Sequence, residues 1–153
     1  TEQTSKIKKI FDELKTPFII NQPSYSMLNR WIEEDGLKDY AYENGLGLAV
    51  FSPLAQGLLT DKYLKTNTGS SNRPWMKSQP DENTLKKLKK LNEIAANRGQ
   101  KLSQMALSWV LRDDKITTVL IGASRPEQIT ENLQAVFKTD FSQEELMAIE
   151  DTL

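Results

Sequence analysis

The stretch Leu46-Gly47-Leu48-Ala49-Val50-Phe51, followed at once by Ser52-Pro53, decides the fold. It is a short, continuous apolar run, which is typical of a strand covered on both faces in a parallel sheet. Similar runs occur at Phe18-Ile19-Ile20-Asn21 and from Ile116 to Ile121. Between these runs the apolar residues recur with helical spacing. We therefore expect strands that alternate with helices, which is the order of a parallel α/β protein.

Helical spacing and helix-capping residues predict the remaining elements. The first helix carries an apolar stripe of Ile7, Ile10, Phe11 and Leu14. The predicted helices cover residues 4–15, 33–42, about 85–98 and 102–111, a short segment from Pro126, and a segment from Ser142 in which Glu145 completes a capping box. Three parallel strands do not make a stable sheet with two covered faces, so we expect them to be consecutive members of an eight-stranded (β/α)8 barrel.

Composition excludes several kinds of site. The 153 residues include no Cys and no His, so the chain offers no thiolate and no imidazole for catalysis or for a metal site. The net charge is −1 and no apolar run approaches the length of a membrane span. We therefore expect no nucleic-acid partner, no membrane partner and a cytoplasmic location. A helix-turn-helix interpretation of the helix from Lys101 to Asp113 is disfavoured by its apolar stripe and by the acidic pair Asp113-Asp114.

The chain starts at Thr1, in sequence with a helical pattern. We expect residues 1–153 to be one segment of a longer barrel, without the catalytic groups and inactive alone. The partner that completes it is expected to be the missing N-terminal half or another copy of the chain.

Polar clusters follow each predicted strand, where ligands gather in parallel α/β proteins. The first is Asn21-Gln22-Pro23-Ser24-Tyr25, in which the Gln22 amide could pair with a carboxamide or be a satisfied structural amide. The second runs from Phe51 to Gly57, where Phe51 could stack on a planar ring or close the core. The third runs from Gly122 to Asn132 and could bind an anion at a helix N-terminus or be a capped surface helix. Residues 65–83 are rich in Gly, Ser, Asn and Pro and predict a long binding loop.

Taken together, the three clusters in this order resemble the aldo-keto reductase superfamily, over nearly the whole chain. The likeness is greatest to bacterial glyceraldehyde-3-phosphate-reductase-like members and to potassium-channel β-subunits. The resemblance implies that the chain is the C-terminal portion of a TIM barrel, about strands six to eight. It also implies an NADP cofactor and a small carbonyl substrate for the complete barrel.

The resemblance assigns an end of the cofactor to each cluster. It implies that Gln22 binds the carboxamide, that Phe51 stacks on the nicotinamide ring and that residues 65–83 cover the dinucleotide. The expected cofactor-binding residues are Gln22, Phe51, Ser52, Pro53, Leu54, Ala55, Gln56, Lys62, Arg73, Gly122, Ser124, Arg125, Gln128, Glu131 and Asn132. The Ser124-Arg125 pair suits a 2′-phosphate, because an Arg fork matches phosphate geometry.

The family's catalytic tyrosine and its Asp, Lys and His partners lie on strands that this sequence does not contain. Tyr25, Tyr40, Tyr42 and Tyr63 are not expected to replace that tyrosine, because no cation is expected beside any of them. The resemblance leaves two interpretations open. One is part of an NADPH-dependent carbonyl reductase, and the other is a cofactor-sensing regulatory subunit of the channel β-subunit kind.

Overall fold

A computed structural model describes residues 1–64 and 80–153. Its helices and strands alternate as the sequence predicts. The elements are α1 (Glu2–Glu13), β1 (Ile20–Asn21), α2 (Trp31–Glu34), α3 (Leu37–Glu43), β2 (Gly47–Val50), α4 (Glu82–Asn97), α5 (Leu102–Val110), β3 (Thr118–Val119), α6 (Pro126–Leu133) and α7 (Gln143–Glu150). Short 3₁₀ turns lie at Ala55–Gly57, Asp61–Tyr63 and Gln134–Phe137. This order confirms the predicted parallel α/β fold.

The three strands form one parallel sheet in the order β1-β2-β3. Its register places Ile20 beside Gly47 and Val50 beside Val119. Gly47 suits this close packing, since a Cβ there would lie 3.2 Å from the backbone oxygen of Ile19 and 3.2 Å from the Thr117 hydroxyl, and these neighbours would have to shift. The central position of β2 explains why its apolar run is the most buried of the three.

The core lies between one face of the sheet and the helices. Leu48 and Val50 are fully buried and pack with residues of α4 and α5, among them Leu91 and Trp109. The opposite face of the sheet carries no helix among the described residues, and Ile20 and Leu120 on it are 46% and 41% exposed. A sheet with helices on one face and an uncovered second face is what a segment of a (β/α)8 barrel presents, because the other strands complete the interior.

The expectation that all three strands are covered on both faces is wrong for β1 and β3. Ile19 is 73% exposed, and each of these strands has only one neighbour among the described residues. Both strands are also shorter than predicted, because regular pairing with β2 extends over only two residues of each. Around α1 the predicted apolar stripe exists, but Ile10 and Leu14 on it are 52% and 67% exposed.

Helix boundaries follow local sequence signals. The predicted helix at residues 33–42 is split into α2 and α3 by Gly36, whose φ of 73° interrupts the helical backbone. The predicted capping box of α7 is present, with the Ser142 hydroxyl accepting from the Glu145 N–H at 3.2 Å. Helix α4 begins at Glu82 with Asp81 as its cap, so the predicted loop over 65–83 ends two residues earlier than expected. Residues 65–79 of that loop lie outside the described residues.

In the part of the chain that the structure describes, none of the helices has the length and apolar character needed to cross a membrane.

Candidate functional site

Gln22 and Phe51 project from the uncovered face of the sheet. The Asn21 side chain donates to the Thr4 hydroxyl of α1 at 3.3 Å, so Asn21 faces the helices. Since side chains alternate along a strand, Gln22 faces the other way. Leu48 and Val50 pack in the core, so Phe51 likewise points to the uncovered face, where it is 43% exposed. Both side chains therefore lie at the carboxyl ends of neighbouring strands, on the side where the barrel interior forms.

The loop after β2 has an unusual backbone. Ser52, Ala55 and Gln56 have φ values of 55°, 48° and 57°, in the left-handed region that non-glycine residues rarely adopt. Pro53 is buried and Leu54 packs against the core, so the surrounding structure fixes this conformation. Local strain of this kind costs on the order of 1 kcal/mol per residue and concentrates at binding sites. Part of the loop's own hydrogen-bonding capacity is used internally, since the Ala55 N–H donates to the Ser52 oxygen at 3.0 Å and the Gly57 N–H donates to the Leu54 oxygen at 2.9 Å.

A cavity of about 680 Å³ lies beside this loop. Four of the predicted cofactor-binding residues line it, namely Phe51, Ser52, Ala55 and Gln56. The sequence analysis did not assign its other lining residues, which are Ser24, Ser26, Leu28, Asn29, Leu58, Tyr63, Pro80, Asp81 and Thr84. They come from the loop after β1, from the 3₁₀ turns and from the start of α4, and only tertiary structure shows that these segments meet.

Gln22 lines a different cavity, of about 460 Å³, at the N-terminus of α1. Asn21, Pro23 and Trp31 also contribute to it. The backbone of residues 23–25 pairs with Phe51, because the Tyr25 N–H donates to the Phe51 oxygen at 3.2 Å and the Phe51 N–H donates to the Pro23 oxygen at 3.0 Å. The parallel pairing of the two segments thus continues beyond β1 and β2 and places Ser24 beside Phe51.

The predicted anion site at the start of α6 is closed by one of its own side chains. The Oε1 atom of Gln128 accepts from the Ser124 N–H at 2.8 Å and from the Ser124 hydroxyl at 3.2 Å. Arg125 is exposed and Pro126 takes the first helical position, as predicted. A Cβ at Gly122 would meet no atom within 4 Å, so there is open space beside this turn. A phosphate bound here would have to take the place of the Gln128 amide.

Gln128, Glu131 and Asn132 are all expected to bind the cofactor, but Asn132 is buried, with 8% exposure. Asn132 instead faces inward because α6 packs against α5. Glu131 is exposed, but its carboxylate pairs with the Lys101 ammonium at 2.8 Å and its carbonyl accepts from Nε2 of Gln104 at 2.9 Å. Neither cavity described above includes these three residues.

Two predicted cofactor-binding residues remain, Lys62 and Arg73. Lys62 is exposed in the second 3₁₀ turn, and its ammonium lies 5.1 Å from the centre of the Tyr63 ring. Arg73 falls outside the described residues.

The expectation that no cation lies beside a tyrosine is wrong for Tyr25. The Arg112 guanidinium donates to the Tyr25 hydroxyl at 3.0 Å and to the Glu33 carboxylate at 2.8 Å. The Tyr25 hydroxyl donates to the same Glu33 carboxylate. The Lys38 ammonium also donates to this carboxylate, at 3.4 Å. These groups lie 5 to 87 positions apart in the sequence, so no local pattern could reveal the cluster.

The electrostatics of this cluster indicate a structural role. Burial raises the pKa of Tyr25 well above its usual value, and the bond to Glu33 adds to this, although Arg112 acts in the opposite direction. Burial would raise the pKa of Glu33, but hydrogen bonds from Tyr25, Arg112 and Arg30 outweigh it and lower that pKa to about 2. The Tyr25 proton is thus held more tightly than usual, the opposite of what a proton-donating tyrosine needs.

Comparison with known proteins shows which family the chain resembles. The model of the Aldo/keto reductase family matches residues 1–153. The chain is 46% identical to an L-glyceraldehyde 3-phosphate reductase of Escherichia coli over 97% of its own length and 45% of that protein. It is 34% identical to a probable voltage-gated potassium channel subunit beta of Oryza sativa, over 77% of the chain and 38% of that protein.

Solved structures show the same architecture. A glycerol dehydrogenase from Gluconobacter oxydans matches 95% of the chain with a TM-score of 0.76 and 28% identity. The holo form of an aldo-keto reductase from Bacillus halodurans matches with a TM-score of 0.65 and 28% identity. The chain covers 45% and 46% of these two proteins, respectively. It therefore spans less than half the length of these four relatives.

Proposed function

The chain belongs to the aldo/keto reductase family, and we propose that it is the cofactor-binding part of a barrel that reduces aldehydes and ketones with NADPH. The observation that carries the proposal is the placement of Gln22 and Phe51 at the carboxyl ends of adjacent strands, on one uncovered face of the sheet. Active sites of (β/α)8 barrels lie at that end of the strands. The relative from Escherichia coli is named for the reduction of an aldehyde, which supports the reaction class.

The donor set of the chain fits a dinucleotide. The Gln22 amide can donate to and accept from a carboxamide, and the Phe51 ring offers an exposed face to a planar ring. The left-handed loop that contains Ser52, Ala55 and Gln56 lines the same cavity as Phe51, which supports a place for the pyrophosphate beside it. When bound, NADPH would supply the hydride, and the residues of this chain would orient it and shield it from water.

NADP is favoured over NAD by the turn before α6. The exposed Arg125 and the Ser124 hydroxyl are suited to a 2′-phosphate, which a guanidinium recognises through paired N–H donors. The N-terminus of α6 adds partial positive charge to the same place. Gln128, released from Ser124, and Glu131 would then be the residues nearest to the adenosine, while the buried Asn132 would support them from inside.

The proton donor is proposed to come from elsewhere in the barrel. Tyr25 is buried, its hydroxyl donates to Glu33, and its raised pKa disfavours proton release. We propose that the remaining strands, from an N-terminal half or from another copy of the chain, supply the catalytic groups. Residues 1–153 alone are proposed to be inactive, and the complete barrel is proposed to act in the cytoplasm.

A second function deserves a direct test because of one specific observation. The match to a potassium channel subunit beta covers 77% of the chain at 34% identity. The alternative is a regulatory subunit in which cofactor occupancy is read by a partner protein and turnover is slow. Both functions need the same cofactor contacts, so only turnover and partner binding separate them.

The test compares the full-length protein with residues 1–153 expressed alone. We expect the full-length protein to bind NADPH in isothermal titration and to oxidise it when a simple aldehyde is added. Residues 1–153 alone should show weak or no binding and no turnover. NADPH binding without turnover of any carbonyl compound would favour the regulatory alternative. Absence of NADPH binding by the full-length protein would overturn the proposal.

A further inference from the structure

Ser24 lies directly beside Phe51 on the neighbouring strand segment. The two residues form a parallel bridge beyond the ends of β1 and β2, in the same register as these strands. Paired residues on adjacent strands are about 5 Å apart and project to the same face of the sheet. Ser24 therefore lies on the uncovered face with Phe51, two residues along the chain from Gln22, which projects to that face as well.

The Ser24 hydroxyl already accepts two hydrogen bonds. Nδ2 of Asn29 donates to it at 3.0 Å, and Nε1 of Trp31 donates to it at 3.2 Å. A serine hydroxyl has two acceptor lone pairs and one proton, so these donors occupy both lone pairs and the proton points away from them. Within residues 1–64 and 80–153, no group accepts this proton.

The surroundings of Ser24 hold this donor in place beside a cavity. The Trp31 indole also donates to the backbone oxygen of Ser24 at 2.9 Å, which ties the segment to the start of α2. Ser24 is half-buried and lines the cavity of about 680 Å³ together with Phe51 and Ser52. A donor that is fixed before a ligand arrives loses little conformational entropy on binding. The Ser24 proton is thus available to an acceptor oxygen of a ligand in this cavity.

The pairing of Ser24 with Phe51 decides which part of the cofactor that oxygen belongs to. Under the proposed function, Phe51 stacks on the nicotinamide ring, and the pyrophosphate lies beside the loop that follows Phe51. The adenosine lies at the start of α6, which follows β3, on the opposite side of β2 from Ser24. The nicotinamide half of the cofactor is therefore the part nearest to Ser24. Its carboxamide and its ribose both carry oxygens that accept hydrogen bonds.

We propose that Ser24 is a further cofactor-binding residue, whose hydroxyl donates to an oxygen of the nicotinamide half of NADPH. The proposal rests on the proposed function, because it requires Phe51 to mark the position of the nicotinamide ring. Asn29 and Trp31 are positioning residues in this arrangement, since they occupy the lone pairs of the hydroxyl and so direct its proton.

The experiment measures binding to the full-length protein by isothermal titration. Ser24→Ala is expected to raise the Kd for NADPH about fivefold, which is the usual effect of losing one neutral hydrogen bond. The Kd for adenosine 2′,5′-bisphosphate, which lacks the nicotinamide half, should not change. Ser103→Ala is the matched control, since Ser103 is also half-buried and lines neither cavity. It should leave both Kd values unchanged, and circular dichroism establishes that each variant is folded.

A second variant separates the hydroxyl from the order of its segment. Asn29→Ala removes one donor to Ser24 but keeps the Ser24 hydroxyl, so the Kd for NADPH should rise less than in Ser24→Ala. Equal rises in the two variants would show that the order of the segment accounts for the loss of affinity, which overturns the proposal.

The thionicotinamide analogue of NADP⁺ identifies the acceptor, because it carries sulfur, a weak acceptor, in place of the carboxamide oxygen. If Ser24→Ala weakens binding of NADP⁺ but not of the analogue, Ser24 donates to the carboxamide oxygen. If it weakens both equally, Ser24 donates to a ribose oxygen.

Two results would remove the role of Ser24 while the proposed function stands. One is an unchanged Kd of Ser24→Ala for NADPH, and the other is a parallel loss of affinity for adenosine 2′,5′-bisphosphate. If the wild type does not bind NADPH, the proposed function fails, and the role of Ser24 fails with it.

Discussion

The side-chain Oε1 of Gln128 accepts a hydrogen bond from the backbone N–H of Ser124 at 2.8 Å, across the start of α6. The bond satisfies a donor that would otherwise be open at the turn before the helix. It also places a neutral amide oxygen where the proposed function places a phosphate oxygen.

Replacement of this acceptor should weaken the turn. Gln128→Ala is expected to lower the free energy of unfolding of the full-length protein by about 1 kcal/mol, the usual value of a lost hydrogen bond. Urea titration followed by circular dichroism measures the change. Gln134→Ala serves as the control, since Gln134 is exposed on the next turn. Equal stability of Gln128→Ala and the wild type would contradict this role.

The cofactor preference should depend on Arg125. Arg125→Leu is expected to raise the Kd for NADPH about tenfold, because a charge-assisted bond to the 2′-phosphate is worth roughly 1.5 kcal/mol. The Kd for NADH, which lacks that phosphate, should not change. Isothermal titration with both cofactors gives the ratio, and Lys86→Leu on α4 is the control for loss of a surface charge. A parallel loss of affinity for both cofactors would argue against recognition of the 2′-phosphate.

The Glu33 cluster should make stability depend on acid pH. The pKa of Glu33 falls from 4.5 to about 2 on folding, so its contribution is complete above pH 4.5 and is lost as the pH falls toward 2. Glu33→Gln should destabilise the protein at pH 7 by on the order of 3 kcal/mol, because Arg112 remains buried without its partner. The difference from the wild type should shrink as the pH falls below 4.5.

Chemical denaturation at pH 7, 5 and 3 tests this pH dependence. Glu34→Gln is the control, since Glu34 is exposed beside Glu33 on α2. A stability difference between Glu33→Gln and the wild type that stays constant over the three pH values would show that the carboxylate does not act through its charge.

The edge of β1 should promote self-association of residues 1–153 expressed alone. Ile19 is 73% exposed beside an edge strand, and its backbone oxygen already accepts from the Gly47 N–H. A lysine side chain at this position should discourage pairing with another chain. Sedimentation velocity is expected to show more monomer for Ile19→Lys than for the wild type. Tyr42→Lys, on the exposed side of α3, should behave as the wild type; if it dissociates equally, the edge is not the contact.

The sequence predicted best the elements that depend on local signals. Ser142 and Glu145 specified the start of α7, Pro126 specified the start of α6, and the apolar run of β2 specified a buried strand. The lengths of β1 and β3 could not be predicted from their apolar runs, because regular pairing with β2 extends over only two residues of each. Gly36 was visible in the sequence, but its left-handed conformation, which divides α2 from α3, depends on tertiary packing.

The predicted site was only partly recoverable from sequence for a similar reason. The sequence shows where each strand runs, and side chains alternate between the two faces along a strand. The position of Phe51 and Gln22 on one face therefore follows from the sequence. That Gln22 and Phe51 line different cavities depends on tertiary structure, and the inward position of Asn132 depends on the packing of α6 on α5. Tyr25, Glu33 and Arg112 come from three segments of the chain and are held together by hydrogen bonds and an ion pair. The spacing of apolar residues along the sequence carries no information about such long-range polar contacts.

Arg98, at the end of α4, couples the local unfolding of two helices. Its buried guanidinium donates to the backbone oxygens of Lys138 and Asp140 at 3.2 and 2.9 Å and pairs with the Glu145 carboxylate. The connection before α7 therefore cannot loosen unless α4 also releases it. Amide hydrogen exchange should report α4 and α7 as one cooperative unit, with similar opening free energies for helices that lie more than forty residues apart in sequence.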